Sequence, residues 1–179
     1  MIFGNDLISA RLIDIKDKPF LLKWLTDPIV LEFYEGRDKK YNQNEIENDF
    51  YSESNEIQLM IEFNNKPIGY IQYYKIDNSG YIEYEYENKN ENVFGIDLFI
   101  GEHQVWNKGH GTKILKMCLA YLFNEKNADA IIIDPHFENE RAIHVYEKVG
   151  FKKIKVLKNH ELHENEMKDC WLMECREVI

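Results

Sequence analysis

Apolar residues recur along this chain in two different periods, and the switches between them divide it into elements. Residues 7–13 are aliphatic with a loose alternation and predict a first strand, followed by a helix starting at Asp17-Lys18-Pro19. Phe20, Leu21, Trp24 and Leu25 fall on one face of that helix. Pro28 interrupts it, 29–34 makes a second short helical turn before the polar segment 35–40, and a third helix covers 44–51. Residues 57–63 read as a strand, Asn64-Asn65 tolerates a tight turn, and 68–75 is the antiparallel partner. The strict alternation of 81–87 predicts another strand, with Ile82, Tyr84 and Tyr86 on one face and Glu83, Glu85 and Glu87 on the other. An apolar strand over 93–100 leads toward Gly109-His110-Gly111. Ile114, Leu115, Leu119, Leu122 and Phe123 give 112–123 the spacing of a helix with one buried face. Residues 131–133 form a short continuous apolar strand of the kind covered on both sides. A helix over 139–148 is closed by Gly150 in a left-handed cap, and two final strands lie near 152–157 and 170–176.

The order is strand, helices, four strands, helix, strand, helix, two strands, which defines a mixed α/β (α+β) domain rather than a dinucleotide-binding Rossmann order. With 179 residues, 44% of them hydrophobic, the chain has the material for one core, so a single domain over 1–179 is expected. Twenty-two Lys and Arg against 32 Asp and Glu leave a net charge of -10, which repels a phosphate backbone and attracts a polycation; a nucleic-acid partner is not expected. Three cysteines at positions 118, 170 and 175, with no metal-ligand spacing, and a start lacking a basic, apolar leader point to reduced thiols in the cytoplasm. No stretch approaches the roughly 20 apolar residues that cross a bilayer, so no membrane association is expected. His160-Glu161-Leu162-His163-Glu164 lacks the spacing of the His-Glu-x-x-His zinc helix, and no metal is expected. Cys118 has no base near it in sequence and reads as packing rather than as a nucleophile.

The chemistry gathers in two motifs. Trp106-Asn107-Lys108-Gly109-His110-Gly111-Thr112 follows a strand and opens a helix, where glycines admit a close ligand and free helix amides form a diphosphate cradle. It is not a Walker A loop, since no Gly-Lys-Ser or Gly-Lys-Thr ends it. One strand later stands Asn139-x-x-Ala142-x-x-x-Tyr146-x-x-x-Gly150-Phe151. Together these resemble the acyl-CoA-binding half of GNAT acetyltransferases, over about residues 93–151. Trp24-Leu25-Thr26-Asp27, Leu31-Glu32-Phe33-Tyr34, Pro67-Ile68-Gly69-Tyr70, Phe99-Ile100-Gly101-Glu102, Asp134-Pro135-His136 and the segment 160–164 extend the resemblance to aminoglycoside 6'-N-acetyltransferases. In particular, the chain resembles the acetyltransferase part of bifunctional acetyltransferase-phosphotransferases. Ending at residue 179 it has no room for a phosphotransferase half, so no kinase activity is expected. Two positions depart from the pattern: Trp106 stands where most of the family carries Gln or Arg, and Leu98 stands where close relatives carry Gln.

The resemblance implies a GNAT fold, with about six to seven strands in a mixed central sheet and helices on both faces. It implies acetyl-CoA as cosubstrate, held by Leu98, Phe99, Ile100, Trp106, Lys108, Gly109, His110, Gly111, Thr112, Asn139, Ala142 and Tyr146. Asp97 is implied as the carboxylate taking a proton from the acceptor amine, and Tyr146 as the acid for the departing thiolate. The cationic aminoglycoside would meet Trp24, Tyr34, Glu83, Tyr84, Asp97, Asp134 and Glu164, the aromatics stacking on sugar rings and the acids replacing water at ammonium groups. Other readings are a GNAT enzyme for another amine, such as a polyamine or a protein N-terminus, and a module that binds acetyl-CoA or an aminoglycoside without turnover. Either a monomer or a homodimer is compatible with the sequence.

Overall fold

Asn64 and Asn65 both adopt positive φ, 50° and 59°, and close the predicted hairpin between β3 (Ile57–Phe63) and β4 (Lys66–Lys75). These come from a computed structural model that describes residues 1–86 and 90–177; Glu87, expected to end a strand, lies outside the described residues. The other strands are β1 (Phe3–Gly4), β2 (Ile8–Leu12), β5 (Val93–Ile100), β6 (Ala130–Ile133), β7 (Lys152–His163) and β8 (Glu166–Cys175). They form one sheet in the order β1-β2-β3-β4-β5-β6-β8-β7. Among the described residues the strands number eight, one more than the expected six to seven; the two-residue β1 is too short to show a period in the sequence.

Six α-helices accompany the strands among the described residues: α1 (Lys18–Trp24), α2 (Pro28–Leu31), α3 (Gln43–Tyr51), α4 (Asn78–Glu83), α5 (His110–Lys126) and α6 (Glu140–Val149). Helix α1 has Pro19 in its first turn, where the missing amide costs nothing. Helix α6 is capped by Asn139, whose side chain accepts from the Ala142 amide, and ends at Gly150 with φ 113°, the left-handed cap its sequence calls for.

Helix α4 overturns the strand expected over 81–87. Asp77 Oδ1 accepts from the amides of Ser79 and Gly80 at 2.9 and 3.0 Å, an N-cap that starts a helical turn where alternation alone predicts a strand. Tyr81, Tyr84 and Tyr86 turn inward, whereas Ile82 is 71% exposed beside exposed Glu83. The expected face of Ile82, Tyr84 and Tyr86 therefore does not exist. Likewise β7 runs six residues beyond its predicted end and takes His160 and His163 into the sheet, so the segment 160–163 is strand rather than loop.

The chain packs as two compact units. One comprises Met1–Gln72, Leu98–His110 and His163–Asn165; the other comprises Tyr73–Asp97, Gly111–Leu162 and 166 onward. Trp24, Leu25, Ile46, Phe50, Tyr70 and Phe99 belong to the core of the first. Its close fit is visible at Gly101, where an added Cβ would lie 2.1 Å from the Trp24 ring. That ring has no room to yield, because it is wholly buried and its Nε1 donates to Glu102 Oε1 at 2.9 Å. Gly101→Ala is expected to destabilise the protein by about 2–3 kcal/mol through overpacking. A thermal melt followed by circular dichroism should show a midpoint lower by about 5–10 °C; an unchanged midpoint would refute this packing account.

In the second unit β6 lies parallel to β5 and antiparallel to β8, with all four of its side chains buried, as expected for a strand covered on both sides. Cys118 is fully buried on α5 and burial pushes its thiol up to about 12, so it packs and does not react.

Candidate active site

Parallel pairing of β5 and β6 sets the geometry. Val93 faces Ala130, Phe94 faces Ile131 and Gly95 faces Ile132, a constant offset of 37 residues. Asp97 lies on β5 two residues beyond the last pair of that ladder, and Asp134 is the residue that follows β6. Both acids thus lie toward the carboxyl ends of parallel neighbours, where such sheets open to ligands, and the charges of both act on Tyr74, Tyr84 and Tyr146.

Aromatic hydroxyls surround them within the same unit. Tyr146 of α6 is 8% exposed; burial raises its pKa first, and the charges of Asp97 and Asp134 raise it further, with Arg141 opposing. Its proton is therefore firmly held while both carboxylates are charged. Tyr74 of β4 crosses the backbone of β5 at Gly95, where an added Cβ would sit 2.5 Å from its ring. Its hydroxyl lies 3.2 Å from that of Tyr84, which follows α4. Burial raises the pKa of both phenols; Asp97 is the next cause at Tyr74, and Asp134 the next at Tyr84. His160 of β7 completes the cluster, with Nε2 2.9 Å from Asp134 Oδ2 and its ring 5.6 Å from that of Tyr84. The arrangement offers charge to hold a cation, a carboxylate to take a proton, and neutral phenols to give one.

Asp97, Asp134, Tyr84 and Tyr146 are brought together, the two charges acting on both phenols. Glu83 stands at the end of α4 rather than on a strand and acts electrostatically on Tyr84 and His160. Trp24 requires correction. Its indole is 0% exposed, packed in the first unit with Phe20 and Phe99 ring neighbours, so it has no surface to offer a sugar ring. Tyr34 also belongs to the first unit, its ring 4.6 Å from Phe99. Glu164 there is bound by Arg37, which donates through Nη2 at 2.8 Å and, with the second bond to Nε, lowers the glutamate pKa to about 2. Sequence reasoning missed Tyr74 and gave His160 no partner. Tyr74 follows another tyrosine on an apolar strand, and His160 meets Asp134 through the placement of β8 between β6 and β7.

The glycine loop turns through two left-handed residues. Asn107 and Gly109 both have positive φ, 59° and 78°, and a Cβ built at Gly109 would meet nothing within 4 Å. Open space thus lies before the first turn of the 17-residue α5, beside exposed Lys108. His110 is buried and its ring lies 4.5 Å from that of Phe63. Trp106 is held by its own indole, which donates to the Ile100 carbonyl at 2.7 Å. Leu98 and Ile100 are half-buried on β5, and Phe99 packs its ring in the core of the first unit. Gly111 and Thr112 continue α5 in half-buried positions; Asn139 and Ala142 are engaged with each other in the cap of α6. Among the described residues no group of three or more His, Cys, Asp or Glu is arranged to hold a metal ion, and no helix is long and apolar enough to cross a membrane.

The family profile of the acetyltransferase (GNAT) domain matches residues 14–158, and the chain belongs to that family of acetyl-CoA-dependent N-acetyltransferases. It is similar to aminoglycoside N(6')-acetyltransferase type 1 of Klebsiella pneumoniae, with 29% identity over 154 residues that cover 84% of this chain and 76% of that one. The crystal structure of aminoglycoside acetyltransferase AAC(6')-Ib with coenzyme A superposes with a TM-score of 0.76 at 25% identity, covering 95% of each chain. The same enzyme with coenzyme A and kanamycin gives a TM-score of 0.75, again at 25% identity and 95% of each chain.

Proposed function

We propose that the chain is a cytoplasmic aminoglycoside 6'-N-acetyltransferase, active as a single domain over 1–179, that moves the acetyl group of acetyl-CoA onto the 6' amine and so confers resistance. The observation that carries this reading is that the charges of Asp97 and Asp134 both act on buried Tyr146, in a chain with a net charge of -10. Similarity to an aminoglycoside N(6')-acetyltransferase supports the substrate class. The resemblance to the acetyltransferase part of bifunctional acetyltransferase-phosphotransferases rests on the sequence landmarks.

Acetyl-CoA supplies an activated acyl group. The amides of Lys108 to Thr112 hold its diphosphate. Asp134 holds the ammonium end of the aminoglycoside, with Glu83 and Tyr84 beside it. Asp97 accepts one proton from the acceptor ammonium, directly or through water, which frees the nitrogen lone pair. The new C–N bond forms as the C–S bond breaks, and Tyr146 gives its proton to the leaving thiolate. These two steps are coupled. Neutralising Asp97 removes one of the charges that hold the proton on Tyr146, so the phenol becomes a better acid when an acid is needed. The second proton of the acylated nitrogen passes, directly or through water, to the Tyr146 phenolate, and Asp97 releases its proton to solvent, leaving acetylated amine, free thiol and one released proton.

Thiol release with kanamycin, spermidine and a peptide as separate acceptors tests the assignment. Turnover with kanamycin alone is the expected result. Turnover with spermidine or the peptide alone would transfer the site to another amine, and no turnover with any would leave a binding module.

A further inference from the structure

His160 lies outside every role assigned above, yet it makes the hydrogen bond seen on Asp134, with Nε2 2.9 Å from Oδ2. Its side chain is 12% exposed and that of Asp134 22%, so the pair meets largely away from water, where each charge weighs more. Carboxylates of Asp134 after β6, Glu83 at the end of α4 and Glu161 on β7 itself act on the ring, and Tyr84 lies against it. From β8, the thiol of Cys170 lies 3.7 Å from Glu161 Oε2 and is itself raised by burial, Glu161 and Asp134. In this surrounding an imidazolium gains more than it loses by burial.

One imidazole can serve Asp134 in two states. Neutral, it donates one N–H and leaves the carboxylate its full charge; protonated, it forms an ion pair and cancels that charge. An ammonium from the acceptor needs the same charge. We propose that His160 is the positioning residue of Asp134, and that its protonated form competes with the cationic acceptor for this carboxylate, so that acceptor binding expels the proton. The inference rests on the aminoglycoside reading of the site.

Reciprocity makes the effect measurable: if the proton weakens the cation by a given factor, the cation weakens the proton by the same factor. An opposite charge at hydrogen-bonding distance is worth about one to three pKa units, so the factor is about tenfold or more. His160→Gln keeps an N–H donor and cannot become charged. KM and kcat for kanamycin are to be measured for both proteins from about pH 6 to about pH 8. The ratio of wild-type to variant KM cancels the titration of kanamycin itself. That ratio should rise about tenfold toward the acid end, while the ratio of kcat values stays level. A KM ratio constant with pH would reduce His160 to a structural part and overturn the proposal. Histidine NMR titration of the wild type, with coenzyme A present and with or without kanamycin, guards against a misfolded variant. One imidazole should titrate about one unit lower when kanamycin is bound, and an unmoved titration would also overturn the proposal. If the wild type acetylates no kanamycin at any pH, the functional reading has failed instead, which is a different outcome from either.

Discussion

Asp97→Asn is expected to lower kcat for kanamycin about 10²- to 10⁴-fold, the range that a positioned general base contributes. The substitution keeps size and most hydrogen bonds and removes the ability to take a proton. It also removes a charge that acts on Tyr146 and Tyr74, so the loss is not a pure base effect. Two features separate the base from a mere cation holder. Activity in Asp97→Asn should recover in part at high pH, where the amine arrives already neutral. KM for kanamycin should change less than kcat, because Asp134 remains in place. A variant turning over saturating kanamycin at the wild-type rate would take Asp97 off the proton path.

Tyr146→Phe is the second large effect, with an expected fall in kcat of about 10²-fold. The ring is buried and lies 5.9 Å from that of Phe151, and Phe preserves that packing, so the thermal midpoint should move little. Proton donation has its own signature. With p-nitrophenyl acetate as donor the leaving group needs no proton, and the variant should then approach the wild type. Equal loss with both donors would mean that the hydroxyl orients the site and donates nothing.

Much of this site is legible in the residues because local signals agree with the fold at those places. Asn139, Tyr146 and Gly150 are spaced for one capped helix, and the structure forms that helix with Asn139 and Gly150 at its two ends. The unit β5, α5, β6 is a crossover between parallel strands, so the placing of Asp97 and Asp134 toward the same ends of neighbouring strands follows from the pattern of apolar runs. Residues 81–86 fail for a physical reason. Alternation of Tyr and Glu satisfies a strand, but Tyr81 and Tyr84 are also three apart, and the Asp77 cap decides for the helix. Trp24 fails for another. A tryptophan on an amphipathic helix serves a core as well as a ligand, and what settles it is Gly101, 77 residues later, leaving room for nothing but the ring. The partnership of His160 with Asp134 depends on the strand order β6-β8-β7, which no local period encodes.

The measurement that bears most directly on the central claim is the structure of the product. Kanamycin incubated with the protein and acetyl-CoA, then analysed by NMR, should carry one acetyl group on the 6' nitrogen. Unchanged kanamycin, or an acetyl group at any other position, would contradict the account.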